Sequence, residues 1–197
     1  MNKTGIILIV TLVVFALFTF FSFKNTYNKI VELEESVNKN WSQVENQYQR
    51  RMDLIPNLVN TVKGAVTSEK DILESVVKAR ATATSVNVDA SKLSQEQITN
   101  FQQAQDGLST ALGRLMVIVE KYPELQSIQG FSDLRVQLEG TENRISVERR
   151  NFNETVGIYN TYIRKFPNNV YAGFFGFSQK GYFKSSVGAE NAPEVKF

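Results

Sequence analysis

Arg50-Arg51-Met52-Asp53-Leu54-Ile55-Pro56-Asn57-Leu58 joins two long amphipathic patterns, and whether the chain turns there decides how the rest of it packs. Pro56 is the crux. In a helix interior a proline deletes a hydrogen bond and crowds the preceding turn, at about 3 kcal/mol or more. In the first turn of a helix capped by Asp53 it is well accommodated. Before the stretch, Ile30, Leu33, Val37, Trp41, Val44 and Tyr48 recur at steps of three and four, the mark of a helix with one apolar stripe. After it, Ile55, Leu58, Val62 and Val66 carry a second stripe. Ile72, Leu73, Val76 and Val77 extend it to the Ala81-Thr82-Ala83-Thr84-Ser85 run. Two readings follow: one bent helix from Tyr27 to about Ala83, or two helices joined by a tight turn near Met52 and Asp53. A single rod of ~85 Å would overhang its partners. With the turn, helical segments over 27–51, 54–83, 95–120 and 127–166 have lengths that pair as an up-and-down bundle. The turn is therefore expected, with Asp53 capping the second helix at the membrane-distal end.

Working outward to the amino terminus, residues 4–23 carry no charge and are fenced by Lys3 and Lys24. Twenty helical residues reach about 30 Å, the thickness of a bilayer's hydrocarbon core. A cleaved signal peptide would end in small residues at alternate positions, whereas this run ends Phe18-Thr19-Phe20-Phe21-Ser22-Phe23. An uncleaved, single-pass anchor is expected. Lys3 faces Lys24, Lys29 and Lys39 across it, a bias too small to set the side on which the remainder lies.

Toward the carboxyl terminus, Ser94 followed by Gln97 forms a capping-box pattern. Ile98, Phe101, Gln105, Leu108, Leu112, Leu115, Val119 and Tyr122 then continue the three-four spacing, with Gln105 the one polar member. Lys121-Tyr122-Pro123 stops that helix. The fourth stripe runs Phe131, Leu134, Leu138, Ile145, Phe152, Val156, Tyr159, Ile163 and Phe166, interrupted in its middle by Thr141, Glu142, Glu148 and Arg149. Charges on an apolar stripe must find partners. A structural polar layer of Arg50, Arg51, Asp53, Glu142, Glu148 and Arg149 is therefore expected to set helix register. Trp41, the lone tryptophan, lies on a helical apolar stripe and reads as core.

From Pro167 glycine and aromatics alternate, a pattern read as neither helix nor flexible linker. The end of a fourth up-and-down helix returns to the start of the first, which lies at the membrane. Tyr171, Phe174, Phe175, Phe177, Tyr182 and Phe183 are thus expected near the lipid headgroups, with Lys165, Lys180 and Lys184 reaching phosphates. The alternatives are a tail that caps the bundle and a surface for a protein partner.

Composition narrows the function. At 197 residues and 42% apolar content there is room for one ordinary domain, and a formal charge of +2 leaves no basic excess for nucleic acid. There is no cysteine, hence no disulfide or thiolate site, and no histidine. The carboxylates Glu139, Glu142 and Glu148 on one helix, with Glu45, Asp53, Glu69 and Glu74 elsewhere, evoke a di-metal bundle. That site class needs a Glu-x-x-His on each of two helices. Neither a catalytic residue nor a cofactor is expected.

The strings Tyr27-Asn28, Trp41, RRMDLIPNLVNTVKG from Arg50, KAR from Lys78, YPEL from Tyr122, EGTENRISVERRNFN from Glu139, YN from Tyr159, FP from Phe166, and the closing AGFFGF and YF run over nearly the whole chain. Together they resemble the LemA family of bacterial membrane-anchored proteins. The stretch after Gly64 departs mildly, lacking an aromatic residue often found there. The resemblance implies an all-α protein: an N-terminal transmembrane helix (1–26), an antiparallel up-and-down four-helix bundle (27–166) and an irregular Gly/aromatic C-terminal tail (167–197). A magnetosome membrane protein looks like a relative, which implies membrane organisation. The expected function is a non-enzymatic scaffold or interaction module at the bacterial inner membrane. Its partners would be the lipid bilayer, further copies of itself or other membrane proteins, and not nucleic acid. The alternative is a regulator of envelope state acting through a partner such as a membrane protease.

Overall fold

In the computed structural model, which describes residues 3–64 and 69–184, every regular element among the described residues is a helix. In chain order these are α1 (Lys3–Lys63), α2 (Lys70–Ser85), α3 (Gln95–Val119), α4 (Pro123–Gln126), α5 (Gln129–Arg164) and α6 (Asn168–Phe175).

The turn expected near Met52 and Asp53 is absent. α1 runs for 61 residues with Pro56 inside it, and Asp53 is an exposed position on its outer side rather than a cap. Two features keep the helix going. The buried stripe holds its phase through the proline, as Val44, Tyr48, Arg51, Ile55, Leu58 and Val62. The N–H that proline lacks would have bonded to the carbonyl four residues back. That carbonyl, on Met52, accepts instead from Arg80 Nε of α2 at 2.9 Å. No overhang arises, because the rod ends at Lys63. Residues 27–63 and the 36 residues of α5 each span about 55 Å. The second helix is accordingly shorter than expected, starting at Lys70 and not at Leu54.

The other boundaries move less. Ser94 and Gln97 form the reciprocal capping box. Pro123 opens the single turn of α4, and α5 follows from Gln129. The first residues of α1 to be buried are Thr26 and Ile30, while Ile6 to Phe21 expose their apolar side chains. This part of α1 is long and apolar enough to cross a membrane. The same helix continues past residue 26 without a break.

α1 packs along α5, and α2 along α3. Two apolar clusters result. One gathers Ile30, Val37, Trp41 and Val44 with Phe101, Phe152 and Tyr159. The other gathers Ile55, Leu58 and Val62 with Val76, Leu108, Leu115 and Phe131. Each such side chain contributes roughly 1.5–3 kcal/mol on burial. Trp41 is fully buried, with the Phe152 and Phe101 rings edge-on at 5.5 and 5.3 Å.

The tail is not irregular throughout. Asn168 to Phe175 form α6, closed by Gly176 in the left-handed conformation at φ +79° that glycine adopts freely. Residues 177–184 then run as a strap without regular structure. The closing Pro193 to Phe197 stretch lies outside the described residues.

Candidate functional site

Three constellations stand out, and the first lies at the seam between the two apolar clusters. The Arg51 side chain is only 3% exposed there. A guanidinium taken out of water needs acceptors for its forked donors. Its Nη1 donates to Glu142 Oε2 at 2.9 Å and Ser109 Oγ at 2.8 Å. Its Nη2 donates to Gln105 Oε1 at 2.7 Å and the Gln105 carbonyl at 3.2 Å. The Tyr48 ring lies 5.0 Å below the guanidinium carbon, and burial pushes the Tyr48 hydroxyl's pKa up. Gln105, the one polar residue in its stripe, is there to accept from this arginine.

Of the six residues expected in the layer, the structure joins Arg51 and Glu142. Arg50 and Asp53 are exposed on other faces of α1. Glu148 accepts from Asn151 Nδ2 at 3.2 Å, and Arg149 donates to the Lys184 carbonyl at 2.7 Å. A helical repeat places 50 and 53 well off the direction of 51, which is why neighbours in sequence part company here. The engaged arginine pins α1, α3 and α5 in register. Both terminal nitrogens are engaged by the protein, while the buried Nε and the Gln105 Nε2 have no hydrogen-bond partner among the described residues.

The second constellation is an aromatic collar where α1 leaves its apolar segment. Phe23 meets Tyr171, Phe174 and Phe175 of α6 at ring-centre distances of 5.0, 5.8 and 4.8 Å. Tyr27 meets Phe175 at 4.7 Å and Phe177 at 5.8 Å. Phe174 remains 76% exposed. Tyr182 and Phe183, expected beside these rings, are elsewhere. Phe183 is buried against Trp41, its ring stacked at 6.0 Å, and Trp41 lies about 27 Å along α1 from Phe23. Lys180, expected to reach lipid phosphate, is buried too, with its Nζ 2.7 Å from Glu34 Oε1 and 2.7 Å from the Ser91 carbonyl. Trp41, Phe101 and Phe152 offer a large apolar pocket, and a phenylalanine gains more there than at the headgroups.

The third constellation, unforeseen from sequence, is what holds that strap. Four side-chain amides each bind both backbone polar groups of one strap residue. Asn160 accepts from the Lys180 N–H at 2.9 Å and donates to its carbonyl at 2.8 Å. Gln95 does the same for Tyr182 at 2.9 and 3.0 Å. Asn153 holds Phe183 at 2.9 and 2.9 Å, and Gln102 holds Lys184 at 3.0 and 3.1 Å. Tyr159 donates to the Ser178 carbonyl at 3.1 Å, and burial foremost, then the charge of Glu34, raises its hydroxyl's pKa. Between the paired residues, the Gly181 N–H donates to the Leu93 carbonyl at 2.8 Å. The legible signal was the spacing: Gln95 and Gln102 are seven apart on α3, as are Asn153 and Asn160 on α5, so each pair shares one helix face.

With this geometry in view, comparison with known proteins is informative. The model of the LemA family matches residues 40–197. Magnetosome protein MamQ 2 of Paramagnetospirillum magneticum is 29% identical over 179 residues, covering 80% of this chain and 64% of that protein. Magnetosome protein MamQ of Magnetospirillum gryphiswaldense is 30% identical over 178 residues, with the same coverage of 80% and 64%. The chain thus spans less than two thirds of the length of these curated relatives.

Proposed function

This chain belongs to the LemA family, and we propose that it is a non-enzymatic scaffold or interaction module held at a bacterial membrane by a single-pass N-terminal helix. The observation that carries this reading is the continuity of α1, one helix from its apolar segment into the packed body. A helix without a joint passes orientation from one end to the other, so the body stands at a set angle to the bilayer. An antiparallel four-helix bundle accounts for the packing. Partners fall in number along α5 as they rise along α1, with Thr155 Oγ1 at 3.0 Å from Asn40 Nδ2 and Glu142 at 2.9 Å from Arg51. The Tyr27 and Tyr171 rings of the collar suit the headgroup layer, which amphipathic rings favour. The relatives' designation as magnetosome proteins accords with a role in organising a membrane.

Chemical cross-linking of the full chain in native membranes tests the proposal. The expected result is a ladder of multiples of the chain or adducts with other membrane proteins. A chain recovered as a monomer with one stoichiometric enzyme partner would overturn it in favour of a regulator.

A further inference from the structure

Residues 180–184 are held in the way a receptor holds a peptide. A bundle that needed only to close the seam between α3 and α5 would fill it with apolar side chains. Here four carboxamides are each engaged with the N–H and carbonyl of one strap residue, the pairing that a neighbouring strand would supply. Along α5 the registers match: Asn153 and Asn160 lie about 10.5 Å apart along their helix, and the three steps from Lys180 to Phe183 cover about 10 Å when extended.

Backbone pairing is indifferent to sequence, and three positions add selection. At 181 any side chain would collide, since a Cβ would fall 2.6 Å from Gln95 Cα and 2.8 Å from its nitrogen. At 183 a phenylalanine fills the pocket beside Trp41, with the Arg149 guanidinium 4.9 Å above its ring. At 180 a lysine meets Glu34. The groove also carries strain of its own making. Leu93, at φ 43°, is a non-glycine residue in left-handed geometry, and its carbonyl receives the Gly181 N–H at 2.8 Å.

We propose that the groove between α3 and α5 is a binding site for an extended Lys-Gly-Tyr-Phe-Lys segment, filled by residues 180–184 of the same chain or by those of a second copy. The second copy is the occupant argued for because its segment meets every requirement above. Exchange conserves each contact, which makes swapping of an identical element an inexpensive route to association. Residues 176–179 link α6 to the clamped stretch; for exchange the Phe177 ring must release Tyr27, and the Ser178 carbonyl travels with the strap to the Tyr159 hydroxyl of the second copy. A tethered segment sees its own groove at roughly millimolar effective concentration, so exchange needs copies crowded on one membrane. The second-copy half of the proposal rests on the scaffold reading; the groove's chemistry does not.

The full chain carrying Gly181→Ala places a methyl against the Gln95 backbone and displaces its own strap. In lipid nanodiscs it is expected to bind a labelled peptide of sequence SQKGYFK saturably. The parent chain should bind it roughly tenfold more weakly or less, because its strap competes. The peptide with alanine in place of glycine should not bind. Should circular dichroism show that Gly181→Ala does not fold, a chain with a protease site inserted between Phe177 and Ser178, folded and then cut, reports exchange of the same peptide. Failure of a folded, strap-released chain to take up SQKGYFK overturns the site. Because the chain has no cysteine, Gln95→Cys copies and Tyr182→Cys copies can be mixed in one vesicle. A disulfide between chains is expected on oxidation, and peptide uptake without it overturns exchange in trans. A cross-linked ladder without peptide uptake would sink the clamp and leave the scaffold standing.

Discussion

Arg51 shows how much a single buried donor set decides. Its partner Glu142 is 53% exposed and can return to water when the arginine is removed, so the pair is worth less than one sealed in the core. Urea unfolding of a double-mutant cycle on Arg51 and Glu142 is expected to give a coupling of about 1–2 kcal/mol. The same cycle on Arg51 and Glu148 should give none. Stripe phase singles out 51 over 50, being three residues after Tyr48 and four before Ile55. Choosing Glu142 over Glu148 requires the register of α1 on α5, which no single segment contains. A second residue-scale test lies in the loop between α2 and α3, which the strap contacts at Ser91 and Leu93. The Ser91 hydroxyl, then its backbone N–H, holds the Asp89 carboxyl below its usual pKa of 3.8, at 2.6 and 3.0 Å. A carboxyl whose folded pKa is depressed stabilises the fold above its unfolded pKa. That contribution is lost as pH falls through the folded value. Asp89→Asn should therefore be less stable at neutral pH and show a flatter acid limb below about pH 4, read from thermal unfolding across a pH series.

At the scale of an element, α1 explains why a proline is a poor marker of a helix end. Part of the penalty of an internal proline lies in the carbonyl it leaves without a donor, and here Arg80 Nε supplies that donor to Met52 at 2.9 Å. The two residues should be coupled. Arg80→Met is expected to cost about 1–3 kcal/mol in the parent chain and close to nothing in a Pro56→Ala background, where the helix makes its own bond. Equal losses in both backgrounds, by chemical denaturation, would refute the account. Sequence spacing located most of the helical stretches, because an apolar stripe is a local property. The first reversal escapes it because α1 runs through a proline that local pattern marks as a stop and ends at Lys63, where its length matches α5. The remedy for Pro56 stands 24 residues further on.

For the whole molecule, the expected behaviour is a body fixed to the bilayer through α1 and touching it with the collar. The chain has one native tryptophan, Trp41, about 27 Å above Phe23 along the helix. In liposomes whose lipids carry bromine high on the acyl chain, Trp41 emission should be unaffected. Phe174→Trp should add a component that the bromine quenches, and its absence would place the collar away from the lipid. The sequence by itself determined that the chain is helical, that residues 4–23 are apolar on every face, and that Trp41 belongs to the core. Periodicity and composition are carried by each segment alone. Only the tertiary structure decided where the first helix ends, which acid meets Arg51, and that the tail's aromatics divide between a collar and a clamped strap. Each of those outcomes depends on a donor, a charge or a pocket that a distant part of the chain brings alongside: Arg80 for Pro56, Glu142 for Arg51, and Trp41 with four carboxamides for Phe183 and its neighbours.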